Sequence, residues 1–229
     1  MVGTFYNAVA VGLGATLGCA LGSKIPVGLK NSAFTTLGLF TLGIGIIMCG
    51  DMNEPFGVFL ALIGGGLLGH AMDWDQWVQK RTQRLGAGTG SALSQSVLLF
   101  CAGAMTLIGC MNDGLHGDPT ILLIKGTMDF VSAAFLAAAL GRGVLLAAPV
   151  VFIIQGGLTW MFEGIGSSWS DELIQDYTGL GGILLLALGL DLLGMRSFKL
   201  LNLIPAFLLL PFTKAAAVWL QAFWPQLLA

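Results

Sequence analysis

Charge is what this sequence has least of. Only 10 % of its 229 residues are Asp, Glu, Lys or Arg, where an average soluble domain carries roughly 25 %. So thin a supply cannot cover a water-facing surface. Net charge is −2 and no basic cluster appears, so nucleic acid is not an expected partner. Cysteine is scarce as well. Cys19, Cys49, Cys101 and Cys110 make no C-x-x-C pair and read as small buried residues, although Cys49 and Cys110 fall near predicted span ends and could meet there. Histidine is limited to His70 and His116, with no H-E-x-x-H string. Gly64-Gly65-Gly66 lacks the Lys-Ser/Thr of a phosphate-binding loop. Asp113, His116 and Asp118 share one turn, but three such loop residues suit a solvated turn better than a metal site. No enzyme, no resident metal and no cofactor is expected.

What is present is apolar. Hydrophobic residues make up 56 % of the chain and mean hydropathy is +0.87. A crossing helix needs about 20 apolar residues, and runs between Gly, Pro and charges give eight segments. They are Gly3–Leu21, Ala33–Gly50, Phe56–Met72, Ala92–Met111, Ile121–Gly141, Val144–Phe162, Thr178–Gly194 and Leu200–Phe223. The expected fold is all-α, a polytopic transmembrane bundle forming a single membrane domain over 1–229. The first segment lacks a basic leader region and a good processing site, so it reads as a retained helix. The last holds Pro205 and Pro211 and reads as one kinked span or two half-helices.

Loop charges test the division. Lys24, Lys30, Lys80, Arg81, Arg84, Arg142, Arg196 and Lys199, eight of the ten basic residues, fall on one side of an alternating topology. Asp51, Glu54, Asp113, Asp118, Glu163, Asp171, Glu172 and Asp176 fall on the other. Asp73 and Asp75 are the exceptions, beside a basic run. Basic loops face the cytoplasm, so both termini are expected outside it. Trp74–Leu85 reads as a helix lying in the interface: Trp74, Trp77, Val78, Arg81 and Leu85 share one face.

Glycine, at 34 residues, is about twice its average share of roughly 7 %. It clusters inside spans, as small residues do where helix backbones approach closely. Two internal matches appear. Gly3-Thr4 and Leu17-Gly18 repeat as Gly126-Thr127 and Leu140-Gly141, in spans running the same way. Gly38, Leu42, Gly45 and Gly50 repeat as Gly182, Leu186, Gly189 and Gly194, in spans running oppositely. One simple duplication cannot contain both, and a true repeat stays open.

Ionisable groups at membrane depth are costly and tend to face a cavity or a partner. Lys125, Asp129, Asp191 and Lys214 qualify. Lys125 and Asp129, four apart, lie on one helix face, with Asp129 roughly 12 Å into its span. They are either a neutralised structural pair or a site for a cation or proton. Asp191 lies near a span end, within reach of Arg196, and Lys214 can snorkel. Asn7, Gln155 and Asn202, with Ser94, Gln95 and Ser96, sit among apolar neighbours and either bridge helices or complete a polar centre. The binding candidates for a substrate or ion are therefore Asp129, Lys125, Gln155, Asn7, Asn202 and Asp191.

Several strings resemble a bacterial membrane-protein family known as domain of unknown function 554. They are Gly3-Thr4 with Asn7, Phe100-Cys101-Ala102-Gly103-Ala104-Met105 with Gly109, and Asp113-Gly114-Leu115. Lys125 with Asp129, Gln155-Gly156, Gly189-Leu190-Asp191 and Asn202-Leu203-Ile204-Pro205-Ala206 continue the likeness. The family pattern more usually has Asn at the position of Asp191, which favours Asp129 as the essential carboxylate. The resemblance implies a bacterial inner-membrane protein, often guessed to be a transporter, with no set substrate. Three functions remain in play: secondary transport of a small solute or ion, a channel, and a non-transporting structural or partner-binding role. A homo-oligomer is compatible with each.

Overall fold

The computed structural model describes residues 1–22, 26–82, 84, 86, 88–101, 104–165 and 169–227. They form helices α1 (Val2–Gly22), α2 (Val27–Cys49), α3 (Pro55–Met72), α4 (Trp74–Thr82), α5 (Thr89–Cys101), α6 (Ala104–His116), α7 (Thr120–Leu140), α8 (Ala147–Ile165), α9 (Asp171–Leu192) and α10 (Pro205–Leu227). No strand occurs among the described residues. Six helices are long and apolar enough to cross a bilayer, and α5 with α6 makes a seventh as a pair bent by 61°. In α2 the apolar stretch Thr35–Cys49 is shorter, so the count of crossings stays approximate. Large apolar side chains such as Phe5, Ile153, Trp160 and Phe212 stay exposed, as lipid contact requires.

The expected span Ala92–Met111 is broken into α5 and α6. Ala102 and Gly103, at that junction, lie outside the described residues. A helix end at membrane depth frees backbone carbonyls, which must find partners. The Thr106 hydroxyl donates to the Phe100 carbonyl at 3.0 Å across the break. The last segment is one span rather than two half-helices: a 3-10 turn (Leu200–Leu203) leads into α10 at Pro205. Pro211 sits inside α10 and has no N–H for the carbonyl four residues back. That carbonyl, on Phe207, instead accepts the Tyr177 hydroxyl at 2.8 Å. A neighbouring helix repairs the gap.

Glycine sets the spacing. Gly14, Gly18 and Gly22 of α1 lie on the Phe130, Ala134 and Ala138 carbonyls of α7, so close that a methyl on Gly14 would sit 2.2 Å from the Phe130 oxygen. Numbers rise together along both helices, so α1 and α7 run parallel. Hence the Gly3/Gly126 match joins two parallel neighbours.

The second match has another origin. Adding 144 to the bounds of α1 and α2 gives 146–166 and 171–193, close to those of α8 and α9. The same shift carries α3 onto 199–216, which spans the 3-10 turn and the first half of α10. Contacts obey the shift too. Gly45 meets Leu186 as Gly189 meets Leu42, and Gly38 meets Leu193 as Gly182 meets Cys49. Gly12 meets Ala148 as Gly156 meets Thr4. Each pair becomes the other when the two helices are exchanged, which is the mark of a two-fold axis. Counterpart helices pack antiparallel: residue 38 lies by 189 and 45 by 182, while 57 lies by 214 and 69 by 202. Thus α1–α3 and α8–α10 form an inverted repeat, and α4–α7 lie between its halves in sequence.

The alternation of helix direction leaves one end of the bundle acidic, with Glu54, Asp113, Asp171 and Asp176. The other end is basic, with Arg81, Arg142, Arg196 and Lys199. Gly3 N–H and the Met1 amine both meet Asp113, at 3.2 and 2.9 Å, fixing the start of α1. That employs Asp113 structurally, and no cluster of three metal-ligating side chains occurs among the described residues. All four cysteines are free. Cys49 points its thiol at the Gly179 carbonyl, while Cys110 is buried in a separate core with Leu122 and Phe162.

Candidate functional site

Two polar centres lie inside this apolar frame. The first is at mid-depth. Buried positions on α7 (Leu122, Lys125, Gly126, Asp129, Ala133, Leu136, Ala137) mark one inward stripe, and Lys125 and Asp129 fall on it. They pair with one another and are 6 % and 7 % exposed. Gly126, between them, lets Asn7 of α1 come close. Asn7 donates to Gln155 Oε1 of α8 at 3.1 Å. One turn away, the Thr4 and Thr159 hydroxyls meet at 3.2 Å.

Four of the six sequence candidates therefore converge: Asn7, Lys125, Asp129 and Gln155. The exchanged contacts of α1 and α8 run from Thr4 to Gly12 and centre on Ala8, so Asn7 lies beside the two-fold axis. The cluster is incompletely satisfied. Asn7 Oδ1 and Gln155 Nε2 are buried without hydrogen-bond partners, and each such atom costs roughly 1–3 kcal/mol.

The second centre is at the basic end, and holds Asp191. A cavity of about 140 Å³ is lined by Asp75, Gln79, Ser91, Ser94, Gln95, Asp191, Ser197, Phe198, Lys199 and Leu200. Gln95 Nε2 donates to Asp191 Oδ2 at 2.9 Å, and Ser197 Oγ to Asp191 Oδ1 at 3.1 Å. Asp75 accepts Gln79 Nε2 at 2.7 Å. This wall comes from α4, which has two unlike faces. Trp77 is exposed, with the Arg81 guanidinium 5.2 Å from its ring, as an interfacial anchor should be. The opposite face, Asp75 and Thr82, is buried against α5. The aromatic face is the one expected from the sequence, and the buried Asp75 face is not. The stripe Asp75, Gln79, Thr82, at spacings of four and three, was the available signal.

Asn202 joins neither centre as a lining residue. Its Oδ1 accepts Asp75 N–H at 3.0 Å and its Nδ2 donates to Asp73 Oδ1 at 3.3 Å. Lys199 also binds Asp73, at 3.1 Å. Asp73 ends α3 in a left-handed conformation with φ 44, so Asn202 clamps a sharp turn and sets where α4 begins. Lys214 does not snorkel into water. It pairs at 2.6 Å with Asp176, which is fully buried and also accepts the Asn53 and Glu54 N–H groups at 2.9 and 2.7 Å.

Asp75 gives a pH prediction. Burial pushes its carboxyl above the usual carboxylate range, against the hydrogen bonds of Gln79 and Ser94 and the charge of Lys199, with Asp73 adding to the rise. The folded protein then binds this proton more tightly than the unfolded chain does. Stability from Asp75 falls as pH rises from the ordinary carboxylate value through the raised one. Thermal unfolding in detergent between about pH 4 and about pH 8 should show Asp75→Asn losing that decline relative to wild type. Parallel pH profiles for the two proteins would refute the assignment.

The chain matches the family described as "Protein of unknown function (DUF554)" over residues 2–215. It is 33 % identical to the uncharacterized protein YqgA of Escherichia coli K12, across 96 % of this chain and 99 % of that protein. It is 32 % identical to the uncharacterized membrane protein YdfK of Bacillus subtilis strain 168, across 92 % and 94 % of the two chains. No solved structure matches the chain. The strings running from Gly3-Thr4 to Asn202-Leu203-Ile204-Pro205-Ala206 thus mark common descent over nearly the full length, and the chain belongs to the DUF554 family.

Proposed function

We propose that this polytopic protein is a secondary carrier of a small solute or ion in the bacterial inner membrane, with both termini outside the cytoplasm. The observation that carries this reading is an incompletely hydrogen-bonded polar cluster beside the axis of an inverted repeat. Inverted repeats give carriers two related conformations, and their sites lie near the midplane where the halves meet. Asn7 and Gln155 belong to opposite halves, and Lys125 and Asp129 add one charge of each sign. A solute seated there would meet the free Asn7 oxygen and the free Gln155 amide. It would also compete with the Lys125–Asp129 pair. The partners on this reading are the lipid bilayer and one small solute. No catalytic residue and no cofactor enters it.

A non-transporting role is favoured by one observation: Lys125 and Asp129 already neutralise each other. Flux separates the two. Purified protein reconstituted into liposomes should give saturable uptake and counterflow for at least one member of a panel of ions, amines, amino acids and small organic acids. Protein-dependent flux absent across the whole panel would favour the non-transporting role.

A further inference from the structure

The chamber at the basic end has a feature that its walls do not use. Gln95 is 7 % exposed and lines the chamber. Because its Nε2 is spent on Asp191, the amide orientation is fixed. Its Oε1 is then left buried with no hydrogen-bond partner. An unpaired acceptor therefore belongs to a residue of the wall that also carries the carboxylates of Asp75 and Asp191 and the hydroxyls of Ser94 and Ser197.

The charges facing this space can be assigned. Lys199 also lines it, but its ammonium is bound by both Asp73 oxygens, at 3.1 and 3.3 Å. Arg196 lies 5.8 Å from the Phe198 ring. Among the described residues no ammonium or guanidinium forms an ion pair with Asp75 or Asp191, although the Lys199 charge reaches Asp75. The donor set is all oxygen, which suits a hard cation. Two carboxylates without a third carboxylate, a histidine or a thiol do not make a tight divalent or transition-metal cage. The chamber's 140 Å³ has room for an alkali ion with several of its waters, at about 30 Å³ each, or for an ammonium group.

We propose that the chamber formed by α4, α5, the end of α9 and the following turn binds a small monovalent cation through Asp191, Asp75 and the free Gln95 oxygen. The site goes beyond the carrier reading, because cation binding is measured without flux and stands if flux is never found. It lies at the basic end of the bundle, away from the solute cluster, where a coupling ion would reach it from that side.

The test is thermal unfolding of the detergent-purified protein in Na⁺, K⁺, NH₄⁺ or methylammonium chloride. Ionic strength is held constant with choline chloride, whose bulky quaternary ammonium cannot approach a carboxylate as closely as a small ion does. The expected result is a saturable upward shift of Tm with at least one small cation and none with choline. Gln95→Glu adds a third carboxylate and should lower the half-saturating concentration, whereas a purely structural Gln95 would only lose stability. Asp191→Asn should raise that concentration at least about tenfold, since a full charge is lost from the site. Sodium and the ammonium ions are told apart by which arm saturates first. Where a variant folds poorly, the broadening of the ²³Na resonance by wild-type protein, and its loss on adding the winning cation, supplies the same answer. Identical Tm in all salts with no ²³Na broadening, or equal half-saturation for wild type and both variants, overturns the proposal.

Discussion

Gly69→Ala is expected to prevent normal folding, although it adds a single methyl group. That methyl would lie 1.8 Å from the Asn202 carbonyl oxygen and 2.5 Å from its carbon. Both are backbone atoms, so no rotamer change relieves the clash, and α3 must move away from the turn before α10. Overpacking a well-filled site costs typically 1–3 kcal/mol, and here the displacement also reaches the clamp that Asn202 makes on Asp73 and Asp75. Gly43→Ala is the control, because nothing lies within 4 Å of the methyl it would add. Size-exclusion chromatography and thermal unfolding in detergent should show Gly69→Ala aggregated or melting several degrees low, with Gly43→Ala close to wild type. Equal melting of both variants would refute a close backbone approach between α3 and the turn before α10 at Gly69.

That contrast also marks what sequence could and could not reveal. Scarce charge and long apolar runs made an all-helical membrane bundle legible, because lipid imposes its solvent preference along a span. The break between α5 and α6 was hidden, since no proline lies between Phe100 and Met105 and the compensating Thr106 hydroxyl resembles any other buried threonine. Glycine showed that helices pack closely, but not which ones. The Gly38, Leu42, Gly45 series was a true inverted match, yet the Gly3 series obscured it. The latter comes from α1 and α7 lying side by side, so both carry small residues for the same steric reason.

The polar residues divide in the same way. Lys125, Asp129, Asn7 and Gln155 were visible individually as misfits among apolar neighbours, and packing of α1, α7 and α8 gathers them. Asn202 looked alike in sequence, but serves a backbone turn. Asp75 looked like a solvated charge beside Lys80 and Arg81, because its burial depends on α5 covering one face of α4. Side-chain type alone could not separate these cases.

The Lys125–Asp129 pair offers the sharpest separation of structure from function. Removing one partner of a buried ion pair leaves an uncompensated charge and costs about 3–5 kcal/mol, whereas replacing both with apolar residues is often near neutral. Lys125→Met and Asp129→Leu alone should each lower the yield of folded protein and the melting temperature markedly. The double variant should recover most of both, as a coupling energy in the mutant cycle. Burial on the inward stripe of α7 is the reason, for neither charge can turn out to water. The recovered double variant then becomes the functional probe. It retains the helix packing, while the polar cluster has lost both charges and keeps only the Asn7 and Gln155 amides. Under the carrier reading its solute flux in liposomes is abolished although it melts near wild type. Wild-type flux from the double variant would assign the pair to packing alone and move the solute site away from α7.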